Sequence, residues 1–196
     1  MGILKRNFFE RDTRLVASQL LGTKLVRHCN GRRLSGMVIE TEAYLGADDS
    51  ASHAFRGKTP RNQIMFGPAG IAYVYFTYGK HHLLNVVTEA QDNPRAVLFR
   101  AIMPLRGRRQ MEASRGKRGR ELANGPAKLC QAMTIDLSLN AWDLTCGKKL
   151  WLENHNAIPE NFICSGPRIG IDYATPKDRE APWRFWVRKD FTASLL

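Results

Sequence analysis

Apolar residues recur at Val16, Ala17, Leu20 and Leu21, the spacing of one helical face. Asp12 or Thr13 can cap that helix and Gly22 can stop it. The pattern then changes to alternation: residues 24–27 and 36–44 read as two strands about the Asn30-Gly31 turn signal. Strict alternation puts Val38, Glu40, Glu42 and Tyr44 on one face, with Met37, Ile39, Thr41 and Ala43 on the other. The second set fits a core, which leaves Glu42 and Tyr44 to border a cleft. Residues 46–70 form a long connection rich in Gly, Pro, Asp and Ser, a length that is uncommon in a compact domain and often functional. Residues 71–77 and 83–88 read as a hairpin whose tip, Tyr78-Gly79-Lys80, carries an aromatic and a cation. Asn93-Pro94 turns the chain into a strand over 96–102, interrupted by Arg100.

Further on, residues 105–121 carry seven Lys or Arg residues with glycines between them, a flexible basic loop with room for one short helix. Gly125-Pro126 opens a helix to about Met133, with the proline suited to its first position. Residues 149–154, 168–173 and 184–188 read as short strands. Strands far outnumber crossover helices. The expected fold is therefore α/β of the α+β type: one domain over 1–196, a curved and mostly antiparallel sheet flanked by helices, with a protruding β-hairpin.

Charge narrows the function. Thirty Lys and Arg residues oppose 18 Asp and Glu, a net charge of +12 with a pI near 10.0. Such a field attracts nucleic acid, and no long helix pairs a basic face with an exposed aromatic one as membrane-surface binding needs. No stretch approaches the roughly 20 apolar residues of a membrane span, and the N-terminus lacks a secretory pattern. The expected setting is the cytoplasm. Cys29, Cys130, Cys146 and Cys164 are scattered without a C-x-x-C pair, so they read as reduced and mostly buried thiols. The adjacent pairs His28-Cys29 and His81-His82 point to opposite strand faces, so no metal and no cofactor is expected.

Glu42, Tyr44, Asp48, Asp49 and His53 fall within about a dozen residues. A strand carboxylate can deprotonate water and stabilise oxocarbenium-like charge during N-glycosidic hydrolysis; it can equally be an ordinary ion-pair partner. His53 can orient water, contact phosphate or simply hydrogen-bond. Tyr73 and Tyr75 share a strand face and suit either packing or base stacking, whereas Tyr78 at a hairpin tip has no core to fill. Arg100 in an apolar strand needs a carboxylate or phosphate partner. Two other readings stay open on these residues. One is a non-catalytic nucleic-acid-binding protein; the other is a nuclease holding a divalent metal on Glu40, Glu42, Asp48 and Asp49.

Order along the chain adds a further signal. Glu40-Thr41-Glu42-Ala43-Tyr44, His53, Thr59-Pro60-Arg61-Asn62, Met65-Phe66, Tyr73-Val74-Tyr75, Tyr78-Gly79, Asn85, Leu98-Phe99-Arg100-Ala101 and the segment from Gly125 to Ala132 resemble the alkyladenine (3-methyladenine) DNA glycosylase family. The match runs from about residue 8 to Arg188. The resemblance implies a monofunctional enzyme, without lyase activity, that removes 3-methyladenine, 7-methylguanine, hypoxanthine or ethenoadenine from double-stranded DNA by base flipping. It implies Glu42 as general base, with Arg100 and His53 supporting it. Tyr44, His53 and Tyr75 would wall the flipped base, Asn85 would meet guanine's exocyclic amine, and Tyr78 on the hairpin would enter the minor groove. Arg61, Lys80 and Lys128 are the expected backbone contacts. The implied protein is a monomer, in a bacterium and associated with the nucleoid. The chain departs from animal members in its short N-terminus, its Arg/Gly-rich 106–120 segment and Lys80-His81-His82.

Overall fold

The computed structural model describes residues 2–194. Two short helices, α1 (Arg6–Phe9) and α2 (Thr13–Gln19), lead into the hairpin β1 (Lys24–Cys29) and β2 (Arg32–Tyr44). A second hairpin follows, β3 (Ala72–Thr77) and β4 (His81–Thr88), then β5 (Arg95–Arg106), α3 (Arg108–Arg115) and α4 (Pro126–Ala132). The chain closes with β6 (Leu150–Glu153), β7 (Ile163–Gly166), α5 (Pro176–Glu180), β8 (Arg184–Val187) and α6 (Lys189–Ala193). The strands form one eight-stranded sheet in the order β3-β4-β5-β2-β1-β6, with β8 bridging β2 and β7. Its pairings are antiparallel throughout, where the scarcity of crossover helices predicts a mostly antiparallel sheet. Among the described residues no helix is long and apolar enough to cross a membrane.

Local chemistry explains most boundaries. The Asp12 carboxylate accepts hydrogen bonds from the amides of Arg14 and Leu15, capping α2. Gly22 then takes φ +82, where a Cβ would lie 2.0 Å from the Asn156 carbonyl oxygen, so only glycine fits. Asn30 and Gly31, at φ +49 and +68, make the tight turn between β1 and β2. Helices α2, α3 and α4 lay Val16, Leu20, Met111, Leu129 and Met133 against sheet residues such as Leu25, Val97 and Phe99, forming the main core.

Three expectations are corrected. First, the pairing of β2 with β5 shifts register on both sides of Glu40, and this bulge breaks the alternation. Val38 therefore joins Ala43 in the main core instead of sharing the Glu42 face. Second, the basic 105–121 segment is only in part the expected loop: β5 runs through Pro104 to Arg106, and the short helix it had room for is α3, with Met111 wholly buried. Third, residues 168–173 are not a strand. Strand β7 ends at Gly166 before Pro167, and Arg168 turns inward to a buried partner. All four cysteines are free; Cys130 is buried, but Cys146 is exposed.

Candidate active site

A cleft of about 440 Å³ opens between the β3–β4 hairpin, the end of β2, the 51–65 connection and the segment 169–173. A buried carboxylate stands at its inner wall. Glu42 has no solvent-exposed surface, and each of its oxygens is held. Oε1 accepts from the Ile169 amide (2.8 Å) and lies 3.1 Å from an Arg100 guanidinium nitrogen. Oε2 accepts from the Tyr44 hydroxyl (2.9 Å). Tyr44, Arg100 and Ile169 all line the cleft, so the carboxylate stands directly behind its wall. Burial pushes the Glu42 pKa up; Arg100, the Ile169 amide and the Tyr44 hydroxyl pull it back only in part.

Arg100 is fixed in turn by Glu40, whose Oε1 accepts from Arg100 Nε (3.0 Å) and from Arg184 (3.2 Å). This answers why an arginine stands in an apolar strand: it serves two carboxylates at once. The other acidic residues of this stretch also carry guanidinium partners. Asp48 pairs with Arg95 (2.9 Å), and Asp49 with Arg168 in a pair without solvent exposure on either side. The four carboxylates that a metal-dependent nuclease would need are thus all engaged by guanidinium groups, Glu40 and Glu42 by the same Arg100. Among the described residues no three His, Cys, Asp or Glu side chains gather as a metal donor set.

The aromatic wall is continuous. The His53 ring lies 4.5 Å from that of Tyr75, edge to face, and its Nδ1 shares a 2.9 Å hydrogen bond with the Tyr73 hydroxyl. Tyr73 and Tyr75 are 5.4 Å apart between centroids. Crowding by the cleft walls first, and the Arg61 cation second, push the His53 pKa down, to about 4. The ring keeps solvent contact at the rim, which blunts the first cause, but both act in one direction and the imidazole is neutral at pH 7. The Arg61 guanidinium lies 5.3 Å over the Tyr75 ring and reaches the Phe76 carbonyl. Asn85 is buried in the cleft floor, its amide donating to the Tyr73 carbonyl (3.1 Å).

At the mouth stands Tyr78, 87% exposed. Its backbone is left-handed (φ +52), with Gly79 beside it at φ +63. A bulky residue rarely adopts that conformation, and it costs on the order of 1 kcal/mol. The turn therefore projects an aromatic ring into solvent against two ordinary preferences. Lys80 is exposed beside it. Lys128 does not reach the cleft; its ammonium pairs with Glu121 (2.7 Å) and contacts Asn124.

Composition and periodicity do not point to Arg168. Its guanidinium bonds Asp49 twice (2.5 and 2.8 Å), donates to the Ala43 carbonyl, and lies between the rings of Tyr44 and Trp183 (4.7 and 4.8 Å). It fixes the far face of Tyr44 and the root of the segment that carries Ile169. The only local signal is Pro167, which argues against a strand at this point.

The chain has clear relatives. The family model for methylpurine-DNA glycosylase matches residues 7–191. A protein of Carboxydothermus hydrogenoformans named "Putative 3-methyladenine DNA glycosylase" is 47% identical over 189 residues, 96% of each chain. Proteins of the same name from Methanocella arvoryzae and Chlorobium phaeovibrioides are 45% and 47% identical, covering 95% and 94% of this chain and 92% of their own.

Proposed function

The chain belongs to the methylpurine-DNA glycosylase family, and from that membership we propose that it hydrolyses the N-glycosidic bond of alkylated or deaminated purines in duplex DNA. The observation that carries the reading is the Glu42 carboxyl, wholly buried, held from three sides and separated from an aromatic cleft only by its own partners. A structural surface glutamate has no need of such a setting.

The geometry supports the following steps. Tyr78 enters the base stack and offsets an unstacking cost of a few kcal/mol, which is lowest for poorly paired, damaged bases. The extruded purine lies among Tyr44, His53 and Tyr75, with Asn85 below. Rotation of the Tyr44 hydroxyl away from Oε2 frees a lone pair for a water in the cleft. Ionised Glu42 takes one proton from that water as its oxygen bonds to the anomeric carbon and the base departs with the bonding pair. A cationic 3- or 7-methylpurine leaves as the neutral base. Arg100 keeps Glu42 ionised and aimed. No lysine lines the cleft among the described residues, so an imine has no nucleophile here and the product is an intact strand with an abasic site.

The test is Glu42→Gln on duplexes carrying one hypoxanthine or one methylated purine. We expect base release to fall by about 10²-fold or more, with duplex affinity within a few fold of wild type. Near-normal release would sink the assignment. Glutamine keeps an acceptor for Ile169 and Arg100, so loss of activity is not loss of folding.

A further inference from the structure

The segment after β7 presents a second aromatic ring to the same mouth. Tyr173 lines the cleft and is 70% exposed, and Ile169, four residues earlier, is 51% exposed. The exposure does not come from a loose loop. Arg168 locks the segment's start to Asp49 through two short bonds inside the protein. Ile171 and Ala174 are buried with Ala51 against Tyr44. The Tyr173 hydroxyl donates to the Ala51 carbonyl (3.0 Å), which sets the direction of the ring. The Ser50 hydroxyl accepts from the Thr175 amide (2.9 Å), which ties the far end. The result is a held lip that exposes the Ile169 side chain and the Tyr173 ring beside the Asp172 carboxylate, on a protein whose net charge is +12.

Phosphate has little use for such a lip. Bases and deoxyriboses do: a tyrosine ring offers large contact area at small entropic cost, and aromatic stacking on a nucleobase tolerates any sequence. Tyr78 and Tyr173 reach one cleft from different elements, so a duplex laid over the mouth meets both.

Resting on the function proposed above, we infer that Tyr173 is a positioning residue for the damaged strand, its ring packing on the nucleotide that flanks the extruded one while Tyr78 fills the vacated stack. The ring holds the strand in register with the cleft and takes no part in bond breaking. Its contribution is therefore to affinity for the damaged duplex rather than to the chemical rate.

The segment's other contact makes this testable, because the Ile169 amide holds Glu42. A tyrosine that only braces the segment affects the chemical rate when removed; one that touches DNA affects saturation. Single-turnover base release from a duplex with one hypoxanthine, measured against enzyme concentration, separates the two. We expect Tyr173→Ala to raise the half-saturating concentration about tenfold, with the maximal rate within about twofold of wild type. Tyr173→Phe keeps the ring and is expected to recover most of the affinity although the Ala51 tether is gone. Wild-type saturation in Tyr173→Ala overturns the inference, as does a fall in maximal rate shared by the Phe and Ala variants together with a lowered Tm. A wild-type protein that releases no base overturns this inference and the proposed function together; an active wild type matched by Tyr173→Ala overturns this one alone.

Discussion

Burial acts on the Glu42 carboxyl more strongly than its three donors do, so the free site holds its proton more tightly than a solvated glutamate. Two consequences have opposite signs. A raised folded pKa stabilises the protein at pH values below the unfolded pKa, and that contribution is lost as pH rises through the folded pKa. Ionising the carboxyl in the folded protein therefore costs stability, a burden that the proposed chemistry requires. On the proposed mechanism activity runs the other way, because Glu42 must be ionised to act as the base: base release is expected to fall on the acid side, with a midpoint above the ordinary glutamate value of 4.5. Tyr44→Phe removes the donor to Oε2, one of the groups that lower the Glu42 pKa. It should move the acid limb to higher pH in a profile of base release at sub-saturating enzyme, which reports the free site; a limb that stays put or moves down would show that another group controls it. At this scale the chain discloses what is close in sequence or regular in spacing. Glu42, Tyr44 and His53 cluster locally, Tyr75 falls on a strand position that alternation assigns, Tyr78 on a turn and Arg100 in an apolar strand, whereas Asn85 is reached only through the family resemblance. Arg168 and Asp49 are not disclosed as partners, because a pair 119 residues apart has no local pattern.

Elements were legible where a turn or cap forces them. The Asn30-Gly31 turn, the Asp12 cap and Pro126 at the head of α4 all mark real boundaries. The bulge around Glu40 is invisible to a period-two reading, because one skipped residue on each strand leaves composition unchanged. Its effect is large: it sends Val38 inward while Glu42 faces the cleft. Helix α3 was legible only as a short helix that a basic loop could hold, without bounds. Met111 anchors it, Arg108 pairs with Glu112 one turn on, and Arg115 donates to the Leu122 carbonyl. Two left-handed glycines bracket it, Gly107 at φ +79 and Gly116 at φ +60. They differ in surroundings: a Cβ on Gly107 would lie 2.4 Å from Leu34 Cδ2, whereas nothing lies within 4 Å of one on Gly116. Gly116→Ala should then cost about 1 kcal/mol, from backbone strain alone. Gly107→Ala adds overpacking of a core leucine and should cost about 2–4 kcal/mol. Urea denaturation of the two variants measures this, and equal midpoints would mean that Leu34 gives way freely.

For the molecule as a whole, a charge of +12 overstates what DNA can feel, because many cations are already engaged by carboxylates. The field that matters comes from those left over near the cleft. Arg56, Lys58 and Arg61 are exposed on the segment that crosses to the hairpin, and Lys80 is exposed at the hairpin tip. Among the described residues none of the four belongs to an ion pair, whereas Lys128 is held by Glu121. Each cation that meets a phosphate releases counterions, so the logarithm of the association constant falls with the logarithm of salt by about 0.9 per contact. Replacing both Lys58 and Lys80 by alanine should therefore reduce that slope by about 2. Undamaged and damaged duplexes should weaken alike, because phosphate contacts carry no lesion information. Lys128→Ala should change the slope by much less, since its charge is already compensated. Fluorescence anisotropy titrations of one duplex over a range of salt concentrations decide the matter. A slope unchanged in the double variant, or reduced equally by Lys128→Ala, would place the DNA on a different face from the one that the cleft and its two exposed tyrosines define.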